Sequence, residues 1–302
     1  MNFKMTTTNN FIYEYSKNSI PDMTSVPPGV FPPSLYQDIQ QTKVFPLDTR
    51  STLQTDYPAT APNLLANFIK MMPGEQLDLQ TNCTSHLFFV LQGNGVASAD
   101  KKYTWGEGDL FVFSGKDIIQ LFSHDTECVL YWVNDSPLLE YLGVIFHVEK
   151  FTPTFFRRDV LYQNLEQVRH DQNSHKRNRI GILMGNEKTD ASTKTITHVL
   201  WSLLNSLPKH SKQRPHKHNS VAIDLCVSGG SENVYTLMGP ELDKEGWVKD
   251  PLRINWTNGG VFITPPGWYH SHHNDSDIDA IVLPIQDAGL YTYQRTLDLQ
   301  FA

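Results

Sequence analysis

From Leu64 onward the chain is cut into short runs of β-branched and aromatic residues, each ended by Gly, Asn or Asp. LLANFIKM, HLFFVLQG, LFVFSG, IIQLFS and CVLYWV follow one another up to Val133. The cadence returns after about Thr193, in TITHVLWSLL, SVAIDLCVS, NVYTLMG, LRINW, GGVFITPPG and DAIVLPIQ. Runs this short, punctuated this often, predict many antiparallel strands rather than helices. Only SPLLEYLGV and DVLYQNLEQVRH, in the less regular stretch between the two halves, carry a helical pattern. Before Thr60 the chain is poorly patterned, and the proline-rich stretch Ile20–Tyr36 reads as an arm lying on a surface or on a partner subunit. The expected class is all-β. Its parts are an arm (1–60), a first β domain (61–135), a short, partly helical linker (136–193) and a second β domain (194–302).

The halves share a template. Gly74, Gln80, Asn82, His86 and Gly93 mark the first half, and His216, His218, Ala222 and Gly229 repeat its spacings in the second. Later in each half a glycine-led strand runs into a turn, GDLFVFSGKDII from Gly108 and GVFITPPGWYH from Gly260.

These spacings resemble the two motifs of the cupin family of small jelly-roll-like β-barrels. The second half matches the second cupin motif at Gly259, Pro265, Gly267, His270 and Asn274. It matches the first motif at His216, His218 and Gly229, and departs from it at His210, where Gly is usual, and at Ala222, where Glu is usual. The first half keeps the frame glycines Gly74, Gly93 and Gly108. Its metal positions read Gln80, Asn82 and Ile119, with His86 in the glutamate slot. A tandem of two cupins without the glutamate resembles the gentisate 1,2-dioxygenase group, which includes salicylate and 1-hydroxy-2-naphthoate dioxygenases. Tyr131–Val144 looks like the end of that group's first barrel, and TPPGWYHSHHN like its ligand turn. That group usually carries its metal in the first barrel, whereas here the motif survives only in the second.

The resemblance implies a metal held by His216, His218 and His270. In a strand, residues two apart point to the same side, so His216 and His218 face one interior together. Three neutral imidazoles leave positions open for a substrate and O₂. With no carboxylate among the ligands, a bidentate anion such as a hydroxy-carboxylate suits the remaining positions. Fe(II) is the expected metal, and three histidines also suit Mn, Ni, Cu or Zn. His272 shares the face of His270 and is either an outer partner of the site or structural; His273 points the other way. Parity from His218 also turns Ser220, Ala222, Asp224 and Cys226 inward. Asp224 then orients a histidine or pairs with an arginine, unless strand curvature turns it to solvent. Trp268 either walls a planar substrate or packs at the barrel mouth. Arg214 and Arg253 are candidates to fork a substrate carboxylate. Gln80, Asn82 and His86 are expected to hydrogen-bond one another in a purely structural first barrel.

Composition narrows the partners. The chain has 302 residues and a formal net charge of −7, and its densest basic stretch, His175–Arg179, reads as a solvated loop, which argues against nucleic acid. The three cysteines lack CxxC spacing and read as reduced, buried residues. Without a signal-peptide pattern or a membrane-spanning apolar run, a soluble cytoplasmic protein is expected. Exposed sheet edges and the arm suggest a homodimer or higher homo-oligomer. The expected function is an Fe(II)-dependent dioxygenase cleaving a hydroxylated aromatic acid or a related small chelating anion. A metal cupin with non-oxidative chemistry (isomerase, lyase or hydrolase) and a metal-bearing accessory protein are the alternatives.

Overall fold

A computed structural model describes residues 10–115, 118–173 and 179–302. The N-terminal segment contributes β1 (Gly29–Phe31) and β2 (Lys43–Pro46). The first barrel is built from β3 (Leu65–Met71), β4 (Gln76–Leu79), β5 (Ser85–Gln92), β6 (Asn94–Ser98), β7 (Lys102–Gly106), β8 (Leu110–Ser114), β9 (Ile119–Ser123) and β10 (Cys128–Asn134). The connection carries helices Ser136–Leu142 and Arg158–His170, where the sequence pattern predicts them, with β11 (Thr154–Phe156) and β12 (Ile180–Leu183). The second barrel comprises β13 (Trp201–Leu207), β14 (Ser211–Lys212), β15 (His216–His218), β16 (Ala222–Ser228), β17 (Val234–Gly239), β18 (Leu252–Asn255), β19 (Val261–Thr264), β20 (Tyr269–Asn274), β21 (Ala280–Gln286) and β22 (Leu299–Phe301).

Each barrel is a pair of facing antiparallel sheets. In the first, β11-β8-β5-β10-β3-β2 faces β4-β9-β6-β7. In the second, β1-β19-β16-β21-β13-β12 faces β18-β17-β20-β15-β22, with β14 also paired to β20. Neither the arm nor the linker is a free connector, because both supply edge strands. β1 pairs with β19 of the second barrel and β2 with β3 of the first. β11 extends the first barrel's large sheet and β12 the second's. Of the two placements expected for the arm, on a surface or on a partner subunit, the described part takes the first. From Gly29 to Tyr36 it lies on its own second barrel, where the buried Tyr36 hydroxyl donates to the Gly259 carbonyl at 3.2 Å.

The large sheets pack back to back, which explains why their central strands are apolar on both faces. Leu87 and Phe89 of β5 and Tyr131 of β10 share one core with Ile223 and Leu225 of β16 and with Leu283 and Ile285 of β21. Phe88 and Val90, pointing the other way, fill the interior of the first barrel with Phe111, Phe113 and Trp132. All seven residues of β10 are buried. The interior of the second barrel is packed only at one end, around Cys226, Met238, Trp256 and Phe262. The three cysteines are free and buried. No helix among the described residues is long and apolar enough to cross a membrane.

Candidate metal centre

The unpacked end of the second barrel holds the histidines. β15 is three residues long, so His216 and His218 turn inward while Lys217 turns out, its ammonium 4.6 Å from the centre of the Tyr269 ring. His270 of β20 lies directly across from His216 in the antiparallel register. The Pro265–Gly267 turn brings β20 to that position. Gly267 has φ of +78°, which disfavours a side chain, and its N–H donates to the His218 carbonyl at 2.7 Å, tying the turn to the ligand strand. Ring centres of His216 and His270 are 3.9 Å apart, and those of His218 and His270 are 5.0 Å apart. One nitrogen from each of the three rings lies within 4.8 Å of the others, and all three rings are buried.

The ring orientations suit a metal. His218 Nδ1 is 2.8 Å from the Ser220 carbonyl and His270 Nδ1 is 3.1 Å from the Trp268 carbonyl. His216 Nδ1 is 3.3 Å from the His270 carbonyl. In His218 and His270 an Nδ1–H donated to a backbone carbonyl leaves the Nε2 lone pair as the ligand atom, whereas His216 Nδ1 also faces the Arg179 guanidinium, which can only donate. Burial lowers the His218 pKa to about 4 and holds His216 and His270 well below the usual imidazole range, so all three are neutral at neutral pH. The donor set therefore fits a divalent transition metal. Ala222, in the slot where cupins usually carry Glu, lines the same cavity and offers no ligand.

That cavity measures about 630 Å³. Among the described residues it presents, besides the histidines, one guanidinium, that of Arg179, and one carboxyl, that of Asp224. Arg179 stands just before β12. It reaches across to the ligand sheet, donating to Gln213 Oε1 at 2.5 Å and lying against the His216 ring. Burial lowers its pKa to about 10, with Asp224 opposing, so it remains a cation. Asp224 is 2% exposed and accepts from Thr264 Oγ1 at 2.8 Å. Burial raises its pKa to about 7, against the Thr264 hydrogen bond and the Arg179 charge. His272 also lines the cavity, its Nδ1 2.8 Å from Thr236 Oγ1, which in turn accepts from Trp256 Nε1 at 2.9 Å. His273 points away and stacks on Tyr235.

Several expected roles are corrected. Arg214 stacks on Trp247 and donates to the Glu245 carbonyl, outside the cavity. Arg253 stacks on Tyr235 and donates to Asn255 and to the Glu232 carbonyl, also outside it. Sequence proximity to the motif favoured both, but Arg253 follows the outward parity of β18 and Arg214 lies in the non-strand segment between β14 and β15. Trp268 packs on the apolar cluster at the closed end of the barrel and gives the site its carbonyl rather than its ring. Arg179, read as part of a solvated loop, is the cavity's arginine; the rest of that basic stretch lies outside the described residues.

In the first barrel Gln80, Asn82 and His86 form no shared network, because residues 80–84 are not strand. Gln80 is exposed, and Asn82 bonds the backbone of Val144 and Phe146. His86 is fully buried. Trp132 Nε1 donates to its Nδ1 at 3.1 Å, which leaves Nε2–H facing Cys83 Sγ at 3.2 Å and no lone pair for a metal. Burial lowers its pKa to about 3.

No family model and no curated protein matches the sequence. Solved structures do match the fold. Salicylate 1,2-dioxygenase from Pseudoaminobacter salicylatoxidans, in a structure with gentisate, is 12% identical with a TM-score of 0.74, covering 95% of this chain and 88% of that one. A second structure of that dioxygenase reaches a TM-score of 0.76 over 96% and 93% of the two chains. The chain has the bicupin fold. An oxalate decarboxylase is also similar to this bicupin, with a TM-score of 0.58 at 12% identity, over 85% of this chain and 76% of that one.

Proposed function

We propose that the protein is a non-haem metal enzyme, a dioxygenase that uses Fe(II) and O₂ on a small hydroxylated aromatic acid or a related chelating anion. The observation that carries this reading is the convergence of three neutral imidazoles, with no acidic ligand, at the polar end of a cavity that also holds the buried Arg179. Iron bound there would supply the redox chemistry between O₂ and an electron-rich ring. The protein's own residues do the rest. His216, His218 and His270 would hold the metal through one nitrogen each. Arg179 binds the substrate carboxylate through its fork and balances its charge. Leu203, Trp201 and Pro284 keep water from the reacting groups. Asp224 takes up or returns a proton at its carboxyl, because a group with a pKa of about 7 does both near neutral pH.

That same Asp224 favours a second reading, in which the metal acts as a Lewis acid and Asp224 as general acid–base in an isomerisation or lyase reaction. Oxygen uptake separates the two. Iron-loaded protein given salicylate or gentisate is expected to consume O₂ with loss of the substrate's ring absorbance. Turnover under strict anaerobiosis would favour the second reading. Arg179→Met should raise KM about 10–100-fold, the worth of one hydrogen-bonded charge of roughly 1.5–3 kcal/mol.

A further inference from the structure

Both sheets that enclose the cavity grade in the same direction. Across the ligand sheet the order is β20, β15, β22, so His270 is followed by His216 and His218 and then by Leu299 and Phe301. Across the facing sheet the order is β16, β21, β13, β12. Ala222 and Asp224 are followed by Gln286 and Pro284, then by Trp201 and Leu203, then by Leu183. Polar groups therefore meet polar groups at one end, and mostly apolar walls face each other toward the sheet edges, interrupted by Asn205 on β13 and by Arg179, which enters from just before β12 and reaches back to His216. Leu183 is 58% exposed, Leu299 47% and Phe301 58%, so the apolar end opens to solvent. The volume matters too. A benzene-sized ligand fits a cavity of about 150 Å³, whereas this one measures about 630 Å³.

We propose that the substrate is an amphipathic acid, with its chelating anionic head at the three histidines and Arg179 and an apolar body longer than one ring lying between Leu183 and Leu203 on one wall and Leu299 and Phe301 on the other. This rests on the metal-site reading above and extends it to the substrate class. The head is read by charge and the body by burial, so lengthening the body strengthens binding without a new polar contact. The open edge sets no fixed limit to its length. Phe301 stacks on the His216 ring, with ring centres 5.9 Å apart and planes 15° apart, so the wall that receives the body is continuous with the metal site.

The test uses zinc-loaded protein, which binds without turnover. Calorimetry is run with salicylate and with salicylates carrying methyl, butyl or hexyl chains at ring position 4 or 5. In at least one positional series affinity should rise by up to about fourfold per buried methylene, with a heat-capacity change that grows more negative along the series. Leu183→Asp and Leu299→Asp change exposed residues and should abolish that slope. Equal affinity across both series, or a slope that survives in both variants, overturns the inference and leaves the metal-site reading intact. Failure of zinc-loaded protein to bind any member, salicylate included, overturns both.

Discussion

The two barrels share a frame and differ in what fills it. In the first, Phe88, Phe111 and Trp132 stack through the interior, with Phe88 and Phe111 ring centres 5.0 Å apart and those of Phe88 and Trp132 6.1 Å apart. Its buried histidine, His86, lies against Phe88 and Trp132, and both its nitrogens meet internal partners. In the second, the apolar fill stops at Trp256 and Phe262. Above it lies open volume, ringed by histidines, of which His218 and His270 have Nδ1 engaged by backbone carbonyls. The difference separates two jobs for one fold. Packing gives the first barrel rigidity and a broad back face for its neighbour. Leaving the second hollow forfeits packing energy and leaves ligand atoms free to bind.

The contrast is broken first by emptying the filled barrel. Phe88→Ala should cost about 3–5 kcal/mol in chemical denaturation, as a fully buried aromatic does. Leu203→Ala, on a wall that already faces open space, should cost much less. Metal content should be unchanged in both. A Leu203→Ala loss equal to that of Phe88→Ala would mean that the second barrel is packed as tightly as the first.

A second change makes the open site resemble the usual cupin. Ala222→Glu restores a carboxylate to the cavity wall. Metal affinity should hold or rise, while turnover falls by at least the roughly 10–100-fold typical of changes around a metal site. The reason is that an added ligand takes an open position and repels an anionic substrate. Full activity in this variant would show that the carboxylate-free site is not what the reaction needs.

The smallest effect sharpens the account of the filled barrel. His86 is held neutral with a pKa of about 3, below the ordinary value of 6.5. Its contribution is fully present above pH 6.5 and is lost as pH falls from 6.5 toward 3, because only the unfolded chain takes up the proton. Between pH 6.5 and 5 this one group should remove about 2 kcal/mol, at roughly 1.4 kcal/mol per pKa unit. His86→Gln should make the fall in stability over that range shallower by that amount, whatever its effect at pH 7. An unchanged slope would mean that His86 reaches water.

The fold and the grouping of three histidines were legible because they are local. Strand cadence shows in short windows, and His216, His218 and His270 sit at fixed spacings around a turn that needs Gly267. Arg179 was not legible, because it enters the site through the edge pairing of β12 with β13, a long-range fact that no local pattern carries. Arg214 and Arg253 misled for the converse reason. They are near the motif in sequence but on the outer face of the barrel. Strand parity turns Ala222 and Asp224 to the cavity because both lie in the regular strand β16, and it does not apply to Asn82 and Gln80, which lie outside any strand.

The central claim is that only the hollow barrel binds metal, and stoichiometry tests it directly. Protein reconstituted with Fe(II) under anaerobic conditions, desalted and analysed by mass spectrometry for elemental iron should carry about one ion per chain. His86→Gln should carry the same amount, and His270→Ala should carry none. Two ions per chain, or loss of one with His86→Gln, would contradict the account, as would full iron content in His270→Ala.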